Sequence, residues 1–331
     1  MNLVVNKPRL QAGFGFKSLR TGRTGNIIIL FCTVQVLAIV FGLIFPKQFP
    51  YLDLFNIRLM LKAIPPLAII AFGVNMLMIA GEFDLTVGAT FTLTALVMAK
   101  MFNGGTPLVF AVLAALLVGG LIGASNGIIV VRTRVPSFIV TLAMMWFWRG
   151  IILLVSNSIT ESFYPSKFFN ALFTLDLGPM QIQFIWMLAI GLISWGILER
   201  HKLGNFFFGV GGNRNAAAAL GVNTGLVKII AFVIVGVFTA LSGVMSTTRI
   251  SSISPIQGEG LELQAIASCV IGGTALMGGR GTILGAFLGA ALMYSIQDFL
   301  LLLGAPGSYL QMFVGAVVLI AAAINEILKK E

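Results

Sequence analysis

Long apolar runs, broken by short clusters of charged, glycine and proline residues, dominate this chain. A helix needs about 20 apolar residues to cross a bilayer core. Runs of that order fall at 27–45, 63–80, 107–131, 136–155, 182–198, 227–247, 283–303 and 310–327. A tighter run at 86–102 and a Gly-interrupted one at 263–277 bring the set to about ten. An amphipathic stretch with Asp53, Arg58 and Lys62 precedes the second run. The pattern predicts an all-α polytopic membrane protein with about ten transmembrane helices. A polar, basic tail occupies 1–26 and a single transmembrane domain 27–331, with one large polar loop at about 199–226. Barrel strands alternate in polarity and would not give runs this long.

Composition narrows the class further. The 331 residues are 58% hydrophobic and 10% charged, with mean hydropathy +1.01. A soluble domain carries roughly 25% charged residues, so an ordinary soluble enzyme and a disordered chain are both excluded. The net charge of +10 reads as the positive-inside bias of a membrane protein, not as a nucleic-acid footprint. With the N-terminus inside, the tail, Arg132, Arg134, Arg200, Lys202, Arg214, Lys228, Arg280, Lys329 and Lys330 all fall in the cytoplasm. Asp53, Glu161, Asp176, Glu259 and Glu262 fall mainly outside, so both termini are expected in the cytoplasm. The first run lacks a small-residue cleavage site and reads as a retained span. Cys32 and Cys269 lie in apolar surroundings and support neither a disulfide nor a metal site. His201, the single histidine, is assigned no role.

Glycines at four-residue spacing smooth one helix face and admit another backbone. Gly119, Gly123 and Gly127 do this in the fourth run, and Gly281, Gly285 and Gly289 around the ninth. Gly81-Glu82-Phe83-Asp84-Leu85 follows the second run, as Gly258-Glu259-Gly260-Leu261-Glu262-Leu263 follows the seventh. The paired runs cross in opposite directions, so spans two to five and seven to ten read as an inverted repeat.

Carboxylates inside lipid are costly and functional, whereas at a boundary they are solvated or cap a helix. Glu82 and Asp84 stand at such a boundary, Asp84 shortly before a helix start at Thr86. Arg149, beside Trp146 and Trp148, reads as snorkelling to the interface. Asp298 sits inside the ninth run and needs a partner or a wet cavity. Gly272-Gly273 and the glycines of 278–281 read either as a helix break facing a pathway or as a turn between spans eight and nine. Together, Glu82, Asp84, Glu262, Gly272, Gly273 and Asp298 are the candidates for a pathway or gate.

The loop at 203–225 carries the most information. Asn213 or Asn215 can cap a short helix, alanines propagate it, and Gly221 ends it. Such a helix is marginal alone in water and calls for a partner, most naturally a cytoplasmic protein.

On 81–88 (GEFDLTVG), 211–223 (GGNRNAAAALGVN) and 258–289 (with LELQAIASCVIGGTALMGGRGTILGAFLG), the chain resembles the permeases of bacterial ATP-binding-cassette importers of the ribose type. The resemblance runs from about residue 50 to the C-terminus. It implies about ten helices per subunit in the inner membrane and a second permease copy or paralogue. It also implies two cytoplasmic ATPase subunits and a periplasmic or lipid-anchored solute-binding protein. The family's coupling helix matches Asn213, Arg214, Asn215, Ala216, Ala217, Leu220 and Gly221. Family members often read Gly-Ile-Asp-Leu-Ser near Gly81 and Glu-Leu-Asp at Glu262-Leu263-Gln264, departures that bear on the solute. No phosphate-binding loop of the Gly-x-x-x-x-Gly-Lys type occurs, so ATP is expected to be used by partner subunits and no cofactor to be bound here. An ion-coupled secondary transporter is the rival, and Asp298 and Arg149 are the ionisable groups available to it. An intramembrane enzyme would need a catalytic pair within the spans, and no span holds a histidine.

Overall fold

The computed structural model describes residues 23–327. Most of the basic tail, together with Lys329 and Lys330, lies outside these residues. The chain runs through α1 (Arg23–Ile44), α2 (Leu54–Ile79), α3 (Val87–Asn103), α4 (Leu108–Thr133) and α5 (Ser137–Ser156). After β1 (Glu161–Ser162) come α6 (Lys167–Thr174), the hairpin strands β2 (Asp176–Leu177) and β3 (Met180–Gln181), and α7 (Ile182–Arg200). Then follow α8 (Lys202–Gly212), α9 (Arg214–Ala219), α10 (Thr224–Ile250) and β4 (Ser252–Ile253). The chain closes with α11 (Leu261–Ile271), α12 (Ile283–Leu302) and α13 (Gly307–Ile327).

Among the described residues, 7 helices are long and apolar enough to cross a membrane: α1, α2, α4, α5, α7, α10 and α12. Of the three other expected spans, α13 is not among these 7, and two are shorter than a crossing. α3 has 17 residues, and α11, expected over 263–277, has 11 and stops at Ile271. An 11-residue helix rises about 16 Å, half of a core about 30 Å thick. Gly272 caps it and Gly273 turns the chain at φ 84°. The amphipathic stretch around Arg58 is not separate from the second span. It forms the first turns of α2, started by Asp53, whose side chain accepts from Phe55 N at 3.1 Å.

α2 and α10 form the buried centre, and α4 lies antiparallel along α10. A Cβ at Gly119 would fall 2.5 Å from Gly236 O, and one at Gly127 2.9 Å from Ile229 Cα, so this crossing is backbone on backbone. The second glycine triad divides its contacts. Gly285 and Gly289 face Gly272 and Ser268 beside α11, whereas Gly281 faces Asn75 and Ile79 of α2. Outward apolar side chains such as Leu117 on α4 and Leu192 on α7 form the bundle's surface.

Pro65 and Pro66 lie inside α2. Pro66 has no N–H to offer the carbonyl of Lys62 one turn earlier. Arg249 of α10 supplies the missing donor, its Nη1 lying 2.6 Å from Lys62 O. Arg249→Ala should therefore cost about 1.5–3 kcal/mol, the range for a hydrogen bond to a charged group. Pro66→Ala, which returns an N–H to that carbonyl, should shrink the loss. Thermal unfolding of the two single variants and the double variant measures this coupling.

α9 marks one end of the bundle, and the other end is tied by polar contacts. Lys100 meets Glu161 at 3.3 Å, Asn103 donates to Glu161 at 2.6 Å, and β1 pairs antiparallel with β4. Lys62 bridges Asp176 at 3.0 Å and holds that carboxyl below the usual carboxylate range, mainly by hydrogen bonding. A depressed folded pKa stabilises above the unfolded value and is lost as pH falls through the folded one. Asp176 is 63% exposed, so Asp176→Asn should cost under about 1 kcal/mol at pH 7. The difference from the parent chain should shrink as pH falls below the ordinary aspartate range, as melts at neutral and acid pH would show.

Candidate functional site at the α8–α9 joint

The segment after α7 holds two helices, not the single short one expected. The loop at 203–225 predicts one helix and does not include α8, whose run holds Gly204, Gly209, Gly211 and Gly212. In the fold Gly204 and Gly211 allow close approach. A Cβ at Gly204 would clash with Leu198 O, while Phe207 and Val210 of α8 are buried. His201 starts α8 by accepting from Leu203 N at 3.2 Å.

α9 begins at Asn213, whose Oδ1 accepts from Ala216 N at 3.0 Å. It ends where Gly221 takes φ 82° and donates to Ala218 O at 2.9 Å. Ala217 packs inward. Arg214, Asn215, Ala216 and Gly221 are exposed, and Leu220 is 85% exposed.

Three backbones meet beneath this face. Gly279 N, in the α11–α12 turn, donates to Ile79 O at the end of α2, at 2.8 Å. Gly211 of α8 lies against both, since its Cβ would collide with Ile79 O and fall 2.7 Å from Gly279 N. A Cβ at Gly278 would sit 2.9 Å from Gly81 Cα and 3.0 Å from Gly211 O. Gly278 and Gly279 hold φ of 85° and 72°, which other residues rarely adopt. The connection carrying α9 is thus keyed directly into α2 and the α11–α12 turn.

Beside the joint, the Glu82 carboxylate forms an ion pair with Lys228, one turn into α10, and both side chains are buried. Asp84 accepts from Thr86 N at 2.7 Å and from Asn126 at 3.4 Å, fixing the start of α3. Glu262 stands at the start of α11 with Oε1 accepting from Gly260 N at 3.3 Å. Asp298 accepts from Asn56 at 2.8 Å near the opposite end. Gly272 and Gly273 turn the chain after α11. The pathway candidates are therefore spread along the bundle instead of forming one cluster. Arg149 does not reach for the interface alone, because its Nη1 binds Glu259 at 3.0 Å. Sequence reasoning missed Lys228, Asn126 and Arg249 as partners. Lys228 left a signal, a lone charge at the start of the 227–247 run.

Against families of known proteins, residues 56–322 match the branched-chain amino acid transport system / permease component family. The chain belongs to that permease family. It is a multi-pass membrane transport subunit and not itself an enzyme. Its relatives include the ribose import permease of Escherichia coli (strain K12), 35% identical over 87% of this chain and 90% of the relative. The autoinducer 2 import system permease of Salmonella choleraesuis (strain SC-B67) is 33% identical over 86% and 82%. The D-allose transport system permease of Escherichia coli (strain K12) is 31% identical over 91% of each chain. No solved structure matches.

Proposed function

We propose that this permease is the membrane subunit of an ATP-binding-cassette importer for a monosaccharide or similar small polar solute. The observation that carries the reading is the exposed face of α9 above a joint of three backbones. A push or pull on α9 reaches α2, α8 and the α11–α12 turn with no flexible side chain between them. In this reading Asn213, Arg214, Asn215, Ala216, Leu220 and Gly221 form the surface for a cytoplasmic ATPase, and Ala217 anchors the helix from below. Two ATPase subunits use the ATP. A solute-binding protein delivers cargo on the far side, and a second permease copy or paralogue completes the pathway. Both termini then share α9's side. The relatives named for ribose, autoinducer 2 and D-allose import support a sugar-like cargo.

The reading includes ten crossings, with α3 and α11 as the short members of two inverted repeats. Matching contacts support it: α3 packs on α4 and α5 as α11 packs on α12 and α13, and α4 lies on α10 as α12 lies on α2. Short segments in corresponding positions of two halves are a mark of transporters built this way.

Reconstitution tests the function. Proteoliposomes holding the permease, its ATPase and its binding protein should take up D-ribose or D-allose only with ATP inside the partner compartment. Uptake by the permease alone, abolished by a protonophore, would replace this reading with ion-coupled transport.

A further inference from the structure

Residues 254–260 leave β4 in turns, without helix, and run inward along α3. Gly258 N donates to Thr92 Oγ1 at 3.1 Å. From Thr92 to Asn103, where α3 meets Glu161, the helix rises about 16 Å, roughly half of a membrane core. At that depth the Glu259 side chain is 59% exposed, with Arg149 of α5 as its partner. An exposed carboxylate facing hydrocarbon is costly, and non-helical backbone at membrane depth survives only in protein or against water.

Two neighbours extend the feature. Glu262 is 8% exposed, lies within electrostatic range of Arg149 and Glu259, and has an Oε2 with no hydrogen-bond partner. Trp146, one turn before Arg149 on the same face of α5, is 68% exposed.

We infer that this face lines the aqueous solute path, and that Glu259, Glu262 and Arg149 form a subsite for a neutral polyhydroxylated solute. The inference rests on the permease reading above. Ionised carboxylates only accept hydrogen bonds and a guanidinium only donates, so the trio matches hydroxyl donors and ether or hydroxyl acceptors. The Trp146 ring offers an apolar platform of the kind that carbon-bound hydrogens cover.

Thiol labelling of the reconstituted complex decides it. In a Cys32→Ser background, Glu259→Cys and Gln257→Cys should each react with a charged, membrane-impermeant thiol reagent at least tenfold faster than Leu117→Cys on the outer face of α4. Gln257→Cys keeps the ion pair intact, so it reports even if Glu259→Cys folds poorly. Full modification at 257 or 259 should then block D-ribose uptake. Labelling as slow as at 117, or full uptake after modification, would overturn the inference. Failure of the unmodified complex to use ATP for uptake would sink the permease reading instead, and the labelling contrast would still decide whether this face is wet.

Discussion

Gly211→Ala should nearly abolish ATP-driven uptake while the chain still inserts in the membrane. One added methyl group at 211 lands on Ile79 O and 2.7 Å from Gly279 N, and none of these backbones can rotate out of its path. Forcing atoms into a packed contact costs about 1–3 kcal/mol or more, roughly fivefold to over a hundredfold in any equilibrium that depends on the joint. The bundle has a cheaper response than unfolding, which is to let α8 and α9 lift off α2. Transport should therefore fall more than stability. The measurement is paired: uptake in proteoliposomes, and the thermal midpoint of the detergent-solubilised chain. Normal uptake would show that α9 does not act through this joint. Gly212→Ala is the matched control, because a Cβ there meets nothing within 4 Å.

Lys228→Met should be the most destabilising single substitution near the joint. Lys228 and Glu82 have side chains 11% and 9% exposed, so removing the cation strands a buried carboxylate. Breaking a buried pair in this way costs about 3–5 kcal/mol, while replacing both partners by apolar groups is often close to neutral. Lys228→Met combined with Glu82→Leu should therefore recover most of the loss. The reversed pair, Glu82→Lys with Lys228→Glu, should fare better than either reversal alone. Thermal melts of the set give the coupling energy. Additive losses would show that the two side chains act independently.

Much of the architecture was legible because lipid imposes one rule on every residue of a span. The runs at 27–45, 107–131, 136–155, 182–198, 227–247 and 283–303 all became long helices, since a chain in hydrocarbon has to satisfy its own backbone. The start of α9 at Asn213 and its end at Gly221 were legible for a local reason, as caps act within a few residues. Glycine was where local reading failed. Gly204 and Gly211 lie in α8, a helix the pattern of the loop at 203–225 did not predict, where the space against Leu198 O and Ile79 O admits no side chain. Gly272 and Gly273, by contrast, read as a break or a turn, and α11 does end there, with Gly272 as its cap and Gly273 at φ 84°. A glycine's letter is the same whether the chain needs a turn or a neighbour needs room, and only the neighbour distinguishes the two.

By itself, then, the sequence determined that the chain is a helical membrane protein, where most of its spans lie, and which short segment stands free with a cap at each end. Those properties depend on composition and on contacts within a few residues. The tertiary structure alone decided that Glu82 belongs with Lys228, that Arg249 serves a carbonyl 187 positions away, and that Arg149 meets Glu259 at mid-bundle. Pairings of that kind need two distant segments at one depth and facing one another, and helix packing sets both.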